Sequence, residues 1–331
     1  MSLNSSINDT TPTAIIINAD ISPITIQITI YLATVFVCLV GLVGNGIIIH
    51  LFCFRIKLNQ STVYVLNLAV ADFIFVFGCC MVSLYLLCVY NRVETSDQSN
   101  TIFSRFGQVL YSFGFNSSLF FLATLSIERC LSVCFPMWYK CRRPEHLSAI
   151  MCGVLWIVSI LLTALEWSLS REYTQTVYIV ISSIYLVVTL AMVGASAILI
   201  IQLQKTSMQC RPLKLYIVVI AAIITFLISL VPITTVRFFF SFGLLTTVTE
   251  RLISFCLVYL CSSINSAVNP YIYIIVGRWK NSISTTKALE SVFKNDERSS
   301  EGSDLVERQG TDLEHKPSTL RRNGGLGPED S

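Results

Sequence analysis

Two adjacent ionisable residues, Glu128 and Arg129, stand at the end of a long apolar run in this sequence. The run covers 106–127 and contains no Asp, Glu, Lys or Arg, and about 20 apolar residues are enough to cross a bilayer as a helix. Because a charge at membrane depth is costly, it persists mainly where it is paired, hydrated or used. The pair is therefore either a functional site or a snorkelling pair that only extends its charges to the interface.

A second set of polar residues lies inside the apolar runs. Asp72 stands well within one run, where an unpaired carboxylate is neutral unless a cation or a polar cluster holds its charge. Asn265 and Asn269 are four residues apart and share a helix face, and Ser118 lies three helical turns before Arg129. We expect Asp72, Ser118 and the two asparagines to form one polar cluster at mid-depth, suited to a hydrated monovalent cation such as sodium.

Two further kinds of motif lie within the apolar runs. The first run contains Gly41-Leu-Val-Gly44-Asn45-Gly46, whose small residues allow close approach of a neighbouring helix and whose Asn45 can form a hydrogen bond across that contact. Pro232 and Pro270 each interrupt the backbone hydrogen bonds of a run, which permits a kink. We place Asn45 with the mid-depth cluster and expect kinks in the sixth and seventh runs.

Enzyme chemistry is not indicated by the remaining reactive residues. The three histidines, His50, His146 and His315, form no Ser-His-Asp arrangement or metal-ligand box with their surroundings, and no glycine-rich phosphate loop is present. The 12 cysteines lie mostly inside the apolar runs and are interpreted as small packing residues, without metal-ligand spacing. We therefore predict no metal site and no enzyme activity.

The composition and the spacing of charges predict an all-α membrane protein. The 331 residues are 53% hydrophobic and 13% charged, whereas soluble domains carry about 25% charged residues. The net charge of +3 is too small to suggest a nucleic-acid partner. Seven runs of low charge exceed 18 residues and are predicted to span the membrane as a seven-helix bundle. They lie between 20 and 55, 57 and 92, 106 and 127, 147 and 165, 172 and 205, 215 and 236, and 252 and 277.

The orientation follows from the Lys and Arg residues of the short loops. One side of the predicted bundle collects ten of them, Arg55, Lys57, Lys140, Arg142, Arg143, Lys205, Arg211, Lys214, Arg278 and Lys280. The other side collects four, Arg92, Arg105, Arg171 and Arg251. Because cytoplasmic loops carry the excess of positive charge, we predict a cytoplasmic C-terminus and an extracellular N-terminus. No signal peptide is evident, so the first span is expected to direct insertion.

Three regions follow from this topology. Residues 1–24 form an extracellular tail, which we expect to be glycosylated at the Asn-x-Ser/Thr sites of Asn4 and Asn8. Residues 25–277 form the seven-helix domain. Residues 278–331 begin with a short eighth helix that lies at the lipid interface and continue as a disordered cytoplasmic tail.

These motifs, taken together, resemble the rhodopsin-like, class A family of G-protein-coupled receptors. Six motifs stand in the order and at the spacing of that family: Asn45, Leu68-Ala-Val-Ala-Asp72, Glu128-Arg129-Cys130, Trp156, Pro232 and Asn269-Pro-x-x-Tyr273. Three segments, 127–132, 138–148 and 161–166, look more closely like the Mas-related group, which carries Glu-Arg-Cys where most relatives carry Asp-Arg-Tyr. The resemblance covers roughly residues 25 to 290.

The resemblance implies a conformational switch at the cytoplasmic side. Glu128 restrains Arg129 in the resting state, and in the active state Arg129 faces a heterotrimeric G protein. Asn269, Pro270 and Tyr273 complete this switch. The region at the base of the sixth span, Cys210-Arg-Pro-Leu-Lys214, lacks the acid that often forms a second lock, so we predict appreciable basal activity.

The resemblance also indicates a ligand site at the extracellular side. Glu166 matches the acid with which Mas-related receptors bind cationic ligands, and a carboxylate favours amines and basic peptides. Tyr178 stands where those relatives add an Asp, and Tyr111 stands where amine receptors carry Asp, which argues against a monoamine. Arg237 is a further charged candidate near an outer helix end. The alternative ligand is an uncharged lipid or odorant.

Signalling through phospholipase C and calcium is the first expectation for such a receptor in the plasma membrane, ahead of inhibition of adenylyl cyclase. Ser284-Thr285-Thr286 and Ser299-Ser300 are candidate sites for receptor kinases, whose phosphates could recruit an arrestin. Two alternatives from other classes are a seven-helix transporter or channel and a non-signalling partner subunit. The first would require charges or broken helices along a path, and no inverted repeat is visible in the sequence.

Overall fold

The computed structural model of the chain is α-helical in nearly all of the part that it describes. It describes residues 22–56, 58–60, 62–90, 97–144, 146–168, 174–205 and 247–278, with the isolated residues 217, 220, 221, 224, 236 and 239. Its helices are α1 (Pro23–Phe54), α2 (Thr62–Tyr90), α3 (Asp97–Cys134), α4 (Pro136–Cys141), α5 (Leu147–Ser168), α6 (Thr174–Lys205) and α7 (Val248–Arg278).

Six of these helices, all except α4, are long and apolar enough to cross a membrane. They correspond to the first five predicted spans and the seventh. The sixth predicted span, with Pro232, lies outside the described residues apart from isolated positions. Arg237, the eighth helix, the C-terminal tail and the glycosylation sites Asn4 and Asn8 also lie outside them.

Local hydrogen bonds explain where two helices begin. Before α2, the Thr62 amide donates to Asn59 Oδ1 at 2.8 Å and the Asn59 amide donates to Thr62 Oγ1 at 2.6 Å. Before α7, the Glu250 amide donates to Thr247 Oγ1 at 3.2 Å and the Thr247 amide donates to Glu250 Oε2 at 3.1 Å. Both are reciprocal capping boxes, which satisfy amides that have no partner within the helix. Glu250 therefore has a structural role at the start of α7.

The third span differs from its predicted boundary. The charge-free run predicts an end at Glu128, but α3 continues to Cys134, so Glu128 and Arg129 lie within the helix rather than at its end. The short helix α4 then follows almost directly, which the sequence did not predict. Both charged residues are buried inside α3, and the Glu128 carboxylate accepts hydrogen bonds from Tyr139 and Arg143, described below.

Helices α2 and α3 pack backbone against backbone at glycines. A Cβ atom added to Gly78 would lie 2.5 Å from the backbone nitrogen of Tyr111, and one added to Gly114 would lie 2.5 Å from Cα of Phe75. Neither obstacle is the flexible end of a side chain. Only glycine therefore allows the two helix axes to approach this closely.

Helices α1 and α7 meet at the small-residue motif predicted for such a contact. A Cβ atom added to Gly41 would lie 3.1 Å from Cβ of Ala267, and one added to Gly44 would lie 3.2 Å from Cβ of Pro270. The Tyr271 hydroxyl donates to the Val40 carbonyl at 3.1 Å beside this contact. The prediction of close helix approach at Gly41 and Gly44 is thus confirmed.

Trp156 ties α5 to the α2–α3 pair. Its Nε1 donates to Asn67 Oδ1 of α2 at 2.8 Å. Its ring lies 5.5 Å from the ring of Phe113 and 5.1 Å from the ring of Phe121, both on α3. The partly buried indole therefore combines aromatic packing with a satisfied N–H group, as tryptophans in protein interiors usually do.

Replacing Gly114 by alanine should destabilise the bundle, because the new methyl group would overlap the backbone of α2. Overpacking of this kind costs about 1–3 kcal/mol. We expect a lower thermal midpoint for the detergent-solubilised Gly114→Ala protein, measured by the loss of its monodisperse chromatographic peak on heating. Gly153→Ala on α5 is the matched control, because a Cβ atom there meets nothing within 4 Å. Equal midpoints for both variants would contradict the proposed contact.

Candidate functional site

The mid-depth site is centred on Asp72, which is completely buried in α2. The hydroxyl of Ser118 on α3 donates to Asp72 Oδ1 at 2.5 Å. The amide of Asn269 on α7 donates to Asp72 Oδ2 at 2.8 Å. Each carboxylate oxygen thus receives a hydrogen bond from a different helix, and the structure brings these three predicted site residues together.

Further buried polar groups lie on α1 and α7. Asn45 donates from Nδ2 to the carbonyls of Gly41 at 3.0 Å and Ser266 at 3.1 Å, which joins α1 to α7 as predicted. The Oδ1 atoms of Asn45, Asn265 and Asn269 are buried and receive no hydrogen bond from the residues that the structure describes. Ser266, which sequence reasoning missed, lies within hydrogen-bonding reach of the Asp72 carboxylate.

This donor set fits a small hard cation with its water. Carboxylate, hydroxyl and amide oxygens are the ligands that such cations prefer. Buried amide oxygens without a donor are also positions where ordered water is expected. In the described part of the chain, no group of three or more His, Cys, Asp or Glu residues could hold a metal ion.

The second site contains Glu128 and Arg129 near the end of α3. The Arg129 side chain is the largest of those that are completely buried among the described residues. Glu128 Oε1 accepts hydrogen bonds from the Tyr139 hydroxyl at 2.7 Å and from Arg143 Nη1 at 2.7 Å. These two partners lie on α4 and on the segment that follows it, and neither was predicted. The restraint of Arg129 by Glu128, implied by the resemblance, remains a prediction.

Helix α7 carries the other residues predicted for the switch. Pro270 lies inside the helix and packs against α1 at Gly44. Tyr273, one turn further along, is buried. Asn269 belongs to the mid-depth site through its bond to Asp72. The α7 motif thus contacts both α1 and the buried carboxylate.

The third site lies around Glu166, in the last turn of α5. Its Oε1 is 3.5 Å from the hydroxyl of Tyr185 on α6. The same hydroxyl donates to Asn116 Oδ1 of α3 at 2.6 Å, and Asn116 Nδ2 donates to Thr163 Oγ1 of α5 at 3.1 Å. A chain of polar groups therefore connects Glu166 on α5 to the two helices α6 and α3. The sequence analysis did not single out Asn116, which is fully buried, although an asparagine within an apolar run is itself a signal of a polar network.

Tyr111 lies in an aromatic layer beside this network. Its ring is 5.0 Å from the ring of Phe75, 6.5 Å from that of Phe115 and 4.8 Å from that of Tyr259. The ring of Phe115 is 5.5 Å from that of Tyr185, so the layer reaches the Glu166 network. The structure therefore connects Tyr111 and Glu166 through intermediate residues.

The side chains of two predicted ligand contacts lie outside the described part of the structure. Tyr178 lies in the first turns of α6, and its side chain is outside the described residues. Arg237 is outside them as well. Both remain predictions from the sequence.

Comparison with known proteins agrees with this architecture. Residues 44–273 match the family described as 7 transmembrane receptor (rhodopsin family). The chain is 35% identical over 255 residues to the Proto-oncogene Mas of Mus musculus, covering 72% of this chain and 75% of that relative. It is 34% identical over 269 residues to the Mas-related G-protein coupled receptor member D of Homo sapiens, covering 78% of this chain and 82% of that relative.

The chain therefore belongs to the rhodopsin family of seven-transmembrane receptors, within the group of Mas and Mas-related receptors. It is a multi-pass membrane receptor and not an enzyme. Membership also implies coupling to G proteins. The transporter or channel alternative does not agree with this family, whereas the ligand and the signalling pathway are not specified by it.

Proposed function

We propose that this receptor lies in the plasma membrane and binds an extracellular cationic ligand, a basic peptide or an amine, at Glu166. Ligand binding favours the conformation in which Arg129 is released and a heterotrimeric G protein is activated. The expected pathway is phospholipase C and calcium. The N-terminal tail of 1–24 is extracellular and glycosylated, and the region from 278 onward is cytoplasmic and accessible to receptor kinases and arrestin.

The observation that supports this ligand site is the position of the Glu166 carboxylate. It is half-buried near the end of α5, where a ligand can still reach it, and it lies 3.5 Å from the Tyr185 hydroxyl. A carboxylate in such a position gains more from a cation than an exposed one does, because water competes less for it. Through Tyr185 and Asn116, a ligand at Glu166 can bias the packing of α6 against α3.

The proposal also assigns a role to the mid-depth site. Asp72 and Ser118 would hold a hydrated sodium ion together with the buried amide oxygens of Asn45, Asn265 and Asn269. The bound ion would supply the positive charge that keeps the Asp72 carboxylate ionised. Because the site joins α2, α3 and α7, an ion held there would stabilise one packing of these helices, the resting one.

The receptor class can be tested by intracellular calcium in cells that express the chain with or without Arg129→Ala. We expect basic peptides or amines to evoke a calcium rise that the variant loses, because Arg129 is the residue that faces the G protein. An N-terminal epitope should be stained on intact cells and a C-terminal one only after permeabilisation. A response that Arg129→Ala retains at normal surface expression would contradict the proposed switch.

Replacing Glu166 by glutamine tests the charge preference of the ligand site. The substitution keeps the shape of the side chain but removes a charge-assisted bond of about 1.5–3 kcal/mol, so the potency of a basic agonist should fall roughly 10- to 100-fold. Dose–response curves for calcium provide the measurement.

Glu250→Gln is the matched control for this experiment. It removes an acid from the same predicted end of the bundle but keeps the capping box of α7, since glutamine also serves at that position. Unchanged basic-agonist potency in Glu166→Gln would contradict the assignment. If a neutral lipid or odorant activates the receptor with a potency that neither Glu166→Gln nor Glu250→Gln changes, the uncharged-ligand alternative is favoured.

The sodium proposal predicts that basal G-protein activation depends on Asp72. Replacing sodium chloride by N-methylglucamine chloride at constant ionic strength should raise basal nucleotide exchange. The expected increase is roughly fivefold, the low end of the factors by which one binding site usually affects another. Asp72→Asn and Ser118→Ala should remove this dependence. Ser83→Ala, a buried α2 serine outside the cluster, should retain it. Sodium dependence that persists in Asp72→Asn would place the ion elsewhere.

A further inference from the structure

Glu128 has a basic partner that lies outside the seven-helix motifs. Arg143 Nη1 is 2.7 Å from Glu128 Oε1, and the same oxygen accepts the Tyr139 hydroxyl at 2.7 Å. Tyr139 belongs to α4, and Arg143 follows α4 in the segment that leads to α5. The acid of the proposed switch is thus held by the loop that connects the third and fourth spans.

The contact with Arg143 is buried and has several points of attachment. The side chains of Arg143 and Glu128 are 3% and 7% exposed. Arg143 Nη2 also donates to Ser148 Oγ at 2.6 Å, and its guanidinium carbon lies 4.5 Å above the centre of the Tyr139 ring. Exposed ion pairs contribute little, whereas a buried pair cannot be broken without leaving a charge unpaired.

Arg143 is firmly cationic in this position. Burial by itself lowers the pKa of the Arg143 guanidinium, but the hydrogen bond and the charge of Glu128 outweigh it and raise that pKa above its ordinary value. The neighbouring Arg142 carries the same charge but is exposed, and its side chain therefore provides a natural comparison.

We propose that Arg143 is a positioning residue that competes with Arg129 for Glu128 and thereby sets the basal activity of the receptor. When Arg143 holds the carboxylate, Glu128 restrains Arg129 less; when Arg143 withdraws with its loop, the carboxylate returns to Arg129 and the resting state is favoured. This inference rests on the switch role of Glu128 and Arg129 proposed above.

The length of the acid is part of this inference. Glutamate carries one methylene group more than aspartate, which extends its carboxylate by about 1.5 Å. The glutamate of the Glu-Arg-Cys motif therefore reaches towards the loop further than an aspartate would. Glu128→Asp should move the carboxylate away from Arg143, whereas Arg129 remains the next residue in the chain. The substitution should therefore lower basal activity, as loss of Arg143 does.

The test is basal nucleotide exchange, measured by radiolabelled GTPγS binding in membranes that contain the full-length receptor and each class of Gα subunit. We expect Arg143→Gln to lower the basal rate about threefold or more, because the population shifts towards the restrained state. Arg142→Gln should match the unmodified receptor at equal surface expression. Glu128→Gln should raise the rate, and the double variant Glu128→Gln/Arg143→Gln should behave like Glu128→Gln, since Arg143 then has no carboxylate to hold.

The outcomes separate this inference from the proposed switch. If Glu128→Gln raises the rate but Arg143→Gln matches Arg142→Gln, Arg143 does not compete with Arg129 for Glu128, whereas the proposed switch role of Glu128 and Arg129 still holds. If Glu128→Gln leaves the basal rate unchanged, both the proposed switch and the competition by Arg143 are wrong. A double variant well below Glu128→Gln would also overturn the competition, because Arg143 would then act through another group.

A second measurement covers the case in which Arg143→Gln does not reach the surface. The thermal midpoints of the solubilised receptor and its Glu128→Gln, Arg143→Gln and double variants form a double-mutant cycle. We expect the double variant to lose less than the sum of the two single losses, and additive losses would refute the pairing. A basal rate of Glu128→Asp equal to or above that of the unmodified receptor would equally refute the proposed role of Arg143.

Discussion

A buried carboxylate in an apolar bundle must find its hydrogen-bond partners within the protein, and Asp72 meets this requirement by joining three helices. Its two oxygens take one bond from Ser118 on α3 and one from Asn269 on α7. Since lipid offers no hydrogen-bond partners at that depth, the relative positions of α2, α3 and α7 are constrained by one side chain. The same constraint makes the site sensitive to anything that changes the charge of Asp72.

Other polar contacts follow the same principle at different depths. Asn45 joins α1 to α7, the Tyr185–Asn116 bond joins α6 to α3, and Glu128 joins α3 to the loop at Arg143. Hydrophobic burial gives little preference among helix arrangements within a membrane, because lipid is as apolar as the helix surfaces. A few polar bonds can therefore decide which arrangement is populated, and this is the physical basis for a receptor that responds to ligand.

The sequence predicted the features that depend on composition and on spacing within one helix. Low charge and run length predicted the spans that α1, α2, α5, α6 and α7 form, and small residues predicted the α1–α7 contact at Gly41 and Gly44. Asp72, Ser118 and Asn269 were expected together because polar residues at mid-depth have few other partners. Contacts between a helix and a loop were not predictable, because they depend on helix rotation and loop path. The contact of Arg143 with Glu128 is such a case. The capping role of Glu250 was not predictable either, because it depends on the residue at which α7 begins.

The glycine contact between α2 and α3 has a consequence for how this receptor can move. At Gly78 and Gly114 the two backbones are in direct contact, so at these two points no side chains between the helices could repack. The two helices are expected to behave as a fixed frame, and displacements during activation should be measured relative to that frame. Spectroscopic labels intended to follow activation would therefore best be placed as pairs, with one label on α2 or α3 and the other on a helix outside the frame.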